Sequence, residues 1–163
     1  MVTRSPGSWT FPARDHSHVP ILLVNDEPSL RVLKRSLLLE AGYEVRAEAA
    51  DGVAALDYLR ASDAPHVVVF NTLMPRLDGT GFLRVVASEP ELQRHAYVLN
   101  TALARMLPNE LAPLVRGLGI PVVDKPFSRE DLLDAVARAE RKLLVRAEEG
   151  TRATNCSVPP LPG

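Results

Sequence analysis

Short apolar runs alternate with longer amphipathic ones through the middle of this chain. Ile21-Leu22-Leu23-Val24 is continuous, apolar and stops at Asn25-Asp26-Glu27, as a central parallel strand covered on both faces would. Pro28-Ser29 opens a helix with Leu30, Leu33, Leu37 and Ala41 at helical spacing, closed by Gly42. Tyr43 to Glu48 reads as a more polar strand at an edge, and Asp51 to about Ala61 as a helix turning Ala54, Ala55, Leu56 and Leu59 inward. Val67 to Phe70 is the third and most hydrophobic strand. The turn signals Met74-Pro75 and Asp78-Gly79 separate it from a helix carrying Phe82, Leu83, Val85 and Val86. Tyr97-Val98-Leu99 gives a fourth strand. A helix opened by Pro108 comes next and is the weakest element, because Pro113 in a regular interior would cost about 3 kcal/mol. Val122-Val123 makes a short fifth strand. In the last helix Ser128 and Asp131 have capping-box spacing ahead of a Leu132, Val136, Ala139, Leu143 stripe.

Five strands alternating with five helices indicate an α/β doubly wound sheet. Right-handed crossovers put helices on both faces, and ligands gather beyond the carboxyl ends of the strands. Asn25-Asp26, Asn71, Asn100-Thr101 and Asp124-Lys125 end four of the strands, so segments far apart in sequence should converge there. The domain is expected over residues 20–146, between flexible, non-periodic tails at 1–19 and 147–163 that are rich in Pro, Gly, Ser, Thr and charge.

With 163 residues the chain suffices for one domain, and 46% hydrophobic with 24% charged content is that of a soluble globular protein. A net charge of -1 with no strongly basic segment argues against a nucleic-acid or membrane partner. About 17 residues follow the last helix, which is too short and too weakly basic for a helix-turn-helix output. The first residues lack the apolar core of a secretory signal, no stretch reaches the roughly 18 to 20 apolar residues of a membrane span, and Cys156 is a single thiol; a cytoplasmic location is expected. His16 and His18 fall in a tail, and His66 and His95 have no metal-ligand spacing.

The segments I-L-L-V-N-D-E-P, D-G-V-A-A-L, V-V-V-F-N-T-L-M-P-R-L-D-G, L-N-T-A and D-K-P-F, in this order, make residues 20–144 resemble the receiver domain of bacterial response regulators. The resemblance implies a flavodoxin-like (βα)5 domain with five parallel strands in the order 2-1-3-4-5. In that family an acidic pair after the first strand helps to bind Mg²⁺, and an aspartate ending the third strand accepts phosphate. A Thr or Ser and a Lys then hold the phosphoryl oxygens. By position Asn25-Asp26 is the acidic pair, Asn71 the acceptor, Thr101 the hydroxyl and Lys125 the cation, with the Leu73 backbone carbonyl a further metal ligand. Lys125-Pro126 matches a bond that is usually cis in the family.

The departures lie where the chemistry lies. An amide is a very poor nucleophile, so Asn71 lacks the group that would be phosphorylated. With Asn25 as well, two carboxylates are gone, and Asp26 and Lys125 leave the inner cluster near neutral; a direct Asp26–Lys125 pair is expected, and Mg²⁺ binding weak or absent. No cofactor is required. The function expected is that of an atypical, non-enzymatic receiver that signals by binding proteins, a sensor histidine kinase or another signalling protein, or by forming a homodimer. Two other readings stay open. One is a working phosphotransfer receiver that uses another acceptor or a deamidated Asn71. The other is a flavodoxin-like sensor holding a small anion on Thr101 and Lys125.

Overall fold

The computed structural model describes residues 2–4 and 19–156. Its parallel strands are β2 (Pro20–Val24), β3 (Glu44–Ala49), β4 (Val67–Asn71), β5 (Ala96–Thr101) and β6 (Val122–Asp124). β1 (Val2–Arg4) runs antiparallel to β3, and the sheet order is β1-β3-β2-β4-β5-β6. The five parallel strands thus follow the expected 2-1-3-4-5 order. Two expectations change at the amino end. Residues 2–4 are paired backbone rather than flexible tail, and β3 is therefore an inner strand whose outer edge is covered. The rest of the amino-terminal tail, with His16 and His18, lies outside the described residues, as do residues 157–163.

Alternation along the strands divides the core in two. Leu22, Val24, Val68, Phe70, Tyr97 and Leu99 face one side, where α2 (Gly52–Ala61), α3 (Gly79–Ser88) and α4 (Leu111–Leu118) pack. Ile21, Leu23, Val67, Val69, Val98 and Val123 face the other, under α1 (Pro28–Glu40) and α5 (Arg129–Cys156). Phe70, Phe82 and Tyr97 form an aromatic cluster in the first layer, Tyr97 edge-on to both phenylalanines and the two Phe rings tilted with centroids 5.1 Å apart.

Local chemistry accounts for the helix ends. Ser128 and Asp131 form the expected reciprocal box, each backbone N–H donating to the other's side chain at 3.1 Å. α5 then continues to Cys156, past the boundary expected at residue 146. α4 begins at Leu111 rather than Pro108, which puts Pro113 in the first turn, where its missing N–H has no carbonyl to serve. α1 is rotated from the expected stripe: Lys34 and Leu38 point into the core, while Leu33 is 47% exposed. That rotation carries a charge into the interior.

Candidate functional site

A buried asparagine stands at the carboxyl end of β4 (Asn71), one residue before the end of β5 (Asn100) and one residue past the end of β2 (Asn25). Asn71 and Asn100 are direct partners in the β4–β5 register, and Asn25 stands just past the end of β2. Strand alternation turns all three toward the α1–α5 layer, with exposures of 1% for Asn25, 5% for Asn71 and 0% for Asn100. A row of neutral amides thus lines the end of the sheet where the sequence pointed.

Lys34 comes down onto this row from α1. It is 1% exposed, and its Nζ donates to Asn71 Oδ1 at a long 3.4 Å, with the Phe127 ring centroid 5.8 Å away. Burial, and then the charge of Lys125, lower its pKa from 10.5 to about 7. Sequence reasoning missed this residue because a lysine on an amphipathic helix is ordinarily assigned to the solvated face. The signal was present in the equally regular spacing of Leu30, Lys34, Leu38 and Ala41.

The amide orientations follow from their hydrogen bonds. Asn25 Oδ1 accepts from the Glu27 N–H at 2.9 Å, which leaves its buried Nδ2 without a partner. Asn100 Nδ2 donates to the Val123 carbonyl at 3.1 Å, leaving Oδ1 unpaired. Asn71 turns Oδ1 toward Lys34, so its Nδ2 faces the other way. Thr101, 2% exposed, accepts from Thr72 Oγ1 at 2.7 Å and from the Leu103 N–H at 3.0 Å. Two hydroxyls share one bond, which frees one hydroxyl proton.

Other expected residues are placed differently. Asp26 is exposed, and Leu73 exposes 76% of its surface. No ion pair among the described residues joins Asp26 to Lys125, so the direct pair expected from sequence is replaced by the contact of Lys34 with Asn71. Lys125 is half-buried; its N–H donates to the Thr101 carbonyl at 3.0 Å, and the Lys125–Pro126 bond is cis. The donor set does not suit Mg²⁺: the Asn25 carbonyl oxygen is engaged, an ammonium stands beside Asn71, and Asp26 is the one carboxylate of the expected set. Among the described residues no group of three or more His, Cys, Asp or Glu is arranged to hold a metal.

The loop after β4 is fixed from outside the site. Asp51 caps α2 by accepting from Ala54 N–H at 2.8 Å, and Arg76 reaches both of its carboxylate oxygens at 2.8 and 2.9 Å. Burial works against the Asp51 charge, but the Arg76 guanidinium and the Ala54 N–H hold its pKa below the ordinary value. Gly79 lets α3 start against the site strand: a Cβ there would lie 2.9 Å from the Asn71 carbonyl oxygen. A separate cavity of ≈170 Å³ lies near the start of β5, lined by residues including His95, Tyr97, Lys142 and Arg146.

The model of the response regulator receiver domain matches residues 21–137. The chain belongs to the response regulator receiver family. The probable transcriptional regulator ycf27 of Cyanophora paradoxa is 34% identical over 137 residues, which cover 82% of this chain and 52% of that protein. The probable chemotaxis protein CheY of Rhizobium etli is 29% identical over 119 residues, 72% of this receiver and 89% of the relative. Among solved structures, the chemotaxis response regulator CheY4 of Vibrio cholerae is similar with a TM-score of 0.62 at 27% identity, covering 75% of this chain and 98% of that one. The receiver therefore spans about half of the ycf27 regulator it matches and most of the CheY protein. It is a two-component signalling domain of the CheY-like fold, and no helix among the described residues is long and apolar enough to cross a membrane.

Proposed function

We propose that this receiver signals by binding other proteins, without conventional aspartyl phosphorylation, and is not an enzyme. The observation that carries the reading is Asn71: an amide at the end of β4, 5% exposed, with a lysine ammonium against its oxygen. An acyl phosphate requires a carboxylate oxygen as nucleophile, and Asn71 has none. Thr72 and Thr101 do not replace it. Their hydroxyls bond to each other, and among the described residues neither is hydrogen-bonded to a His or a carboxylate that could act as a base. Deamidation of Asn71 is hindered by its burial in a paired strand. Mg²⁺ binding is weak or absent, because Lys34 brings positive charge to where the family's cation is expected, and no cofactor is needed.

The partners are a sensor histidine kinase or another signalling protein, with a second copy of the chain as a further candidate, and the setting is cytoplasmic. α1 offers them Val32 and Leu33, exposed by 63% and 47%, and the face around β6 offers Val122 at 36%. Intact mass after incubation with acetyl phosphate and Mg²⁺, beside an aspartate-bearing receiver as positive control, tests the reading. The expected result is no phosphoryl adduct on this chain. An acid-labile adduct would overturn it.

A further inference from the structure

The cavity near the start of β5 lies at the opposite end of the parallel sheet from Asn71. Its inner wall is apolar, built from Val86 of α3, Tyr97 of β5, and Leu118 and Ile120 around the end of α4. Val86, Tyr97 and Ile120 are buried. The Tyr97 hydroxyl donates to the Leu92 carbonyl at 2.7 Å, so its proton is already spent. The volume, ≈170 Å³, suffices for one six-membered ring, since apolar cavities of about 150 Å³ admit benzene. The outer wall is cationic. Lys142 and Arg146, one turn apart on α5, both line the cavity; Lys142 is half-buried and Arg146 exposed, which puts them at its mouth. Lys142 Nζ donates to the Leu118 carbonyl at 3.0 Å and to the Gly119 carbonyl, and Arg146 donates to the Gln93 carbonyl at 2.8 Å. These bonds fix the two side chains but leave an ammonium donor and most of the guanidinium unused. Among the described residues neither makes an ion pair, and no carboxylate lines the cavity. Burial, and then the charge of Arg146, lower the Lys142 pKa. Two like charges over an apolar floor, with no anion between them, are what the chain itself leaves unanswered.

We propose that this cavity binds a small carboxylate with an apolar body the size of a single aromatic ring. The ring lies against Val86, Tyr97 and Ile120, and the carboxylate sits between Lys142 and Arg146. Each half of the ligand answers one wall. A guanidinium takes a carboxylate through two parallel hydrogen bonds. The apolar wall rewards burial of a ring, which an inorganic anion does not offer. Binding is non-covalent. Ile120 leads almost directly into β6, so occupancy would bear on the face around Val122 that the receiver offers to a partner. The site does not depend on the reading of Asn71.

The test is a titration of the full isotope-labelled chain with sodium benzoate, followed by two-dimensional NMR at constant ionic strength, with benzyl alcohol as the uncharged counterpart. Saturable shifts are expected at the amides of Ala96, Tyr97, Gly117 and Leu118, with a dissociation constant of about 1 mM or below. Amides around Asn71 should be unmoved. Benzyl alcohol should bind at least about tenfold more weakly. Arg146→Gln should weaken benzoate binding by at least about tenfold. Arg116→Gln removes an exposed cation of α4 outside the cavity and should leave binding unaltered. Circular dichroism checks the folding of both variants. Absence of saturable benzoate binding, shifts centred on Asn71, equal affinity for benzyl alcohol, or equal binding by the two arginine variants overturns the proposal.

Discussion

Lys34 enters the interior at a helix position where an aliphatic side chain would pack, and its ammonium meets an amide where a carboxylate would neutralise it. Its pKa of about 7, against 10.5 when unfolded, has a defined sign. Between those values the unfolded chain holds the proton and the folded chain releases it, so stability rises with pH. The gain from this group between pH 7 and pH 9 is about 2 kcal/mol. Lys34→Met should remove that slope and stabilise the neutral protein, as urea unfolding midpoints across the range would show; an unchanged slope would mean the lysine finds water. Asn71→Asp should also flatten the slope, by pairing with the ammonium. Paired in this way, the new carboxylate is a poor acceptor. Labelling by acetyl phosphate is therefore expected from Asn25→Asp, Asn71→Asp and Lys34→Met together, and not from the two asparagine changes alone. Equal labelling of the double and triple variants in intact-mass spectra would show that Lys34 is no obstacle. Asn71, Thr101 and Lys125 were legible in the sequence because they follow strongly apolar runs, whereas Lys34 was not, since its burial depends on tertiary packing that helical spacing alone does not reveal.

Connections between elements are held to different tolerances, and two glycines show the contrast. A Cβ on Gly52, at the start of α2, would lie 2.6 Å from the Leu77 carbonyl oxygen, in the loop that Arg76 ties to Asp51. Gly52→Ala must push this backbone away and should cost about 1–3 kcal/mol. Gly117 on α4 has nothing within 4 Å of the same added atom, so Gly117→Ala should be neutral or stabilise by up to about 1 kcal/mol through helix propensity. Thermal melts of the two variants would check the pair, and similar effects from both would contradict the packing described. At this scale the sequence was read well wherever local chemistry decides. The Ser128–Asp131 box and the Leu132, Val136, Ala139 stripe are as expected. The pairing of Val2–Arg4 with β3 escaped because it is a long-range contact of a short segment without a strand pattern of its own. The start of α4 was misplaced because Pro113 is harmful in a helix interior and harmless in its first turn.

Across the whole molecule, the parallel order that gathers the amides at one end of the sheet gathers two histidines at the other. His66 precedes β4 and His95 precedes β5, and the His66 N–H donates to His95 Nδ1 at 3.0 Å. The His66 ring completes the arrangement, with Nδ1 against the Ala64 carbonyl at 2.7 Å and Nε2 against the Tyr58 hydroxyl at 2.9 Å. Strand alternation predicts the sheet but says nothing about two residues that meet just before their strands begin, which is why sequence spacing gave no reason to join them. Both rings are buried and held neutral. Burial, and for His95 also the neighbouring His66, lowers the pKa, to about 4 for His95 against 6.5 unfolded. The sign is that of a depressed base: as pH falls below 6.5 the unfolded chain takes up protons that the folded chain refuses, and stability is lost until about pH 4. His95 alone accounts for about 2 kcal/mol by pH 5, and His66 acts in the same direction. Lys34 adds its own rise above neutrality, so these groups together place the most stable condition on the alkaline side. His95→Gln retains an acceptor for the His66 N–H but cannot take up a proton. It should be less stable than the parent chain at pH 7 through imperfect packing, yet lose less between pH 7 and pH 5. Urea unfolding of both chains at the two pH values decides the matter: parallel losses would trace the acid sensitivity to other groups, and a reduced loss in the variant would assign it to the histidine pair.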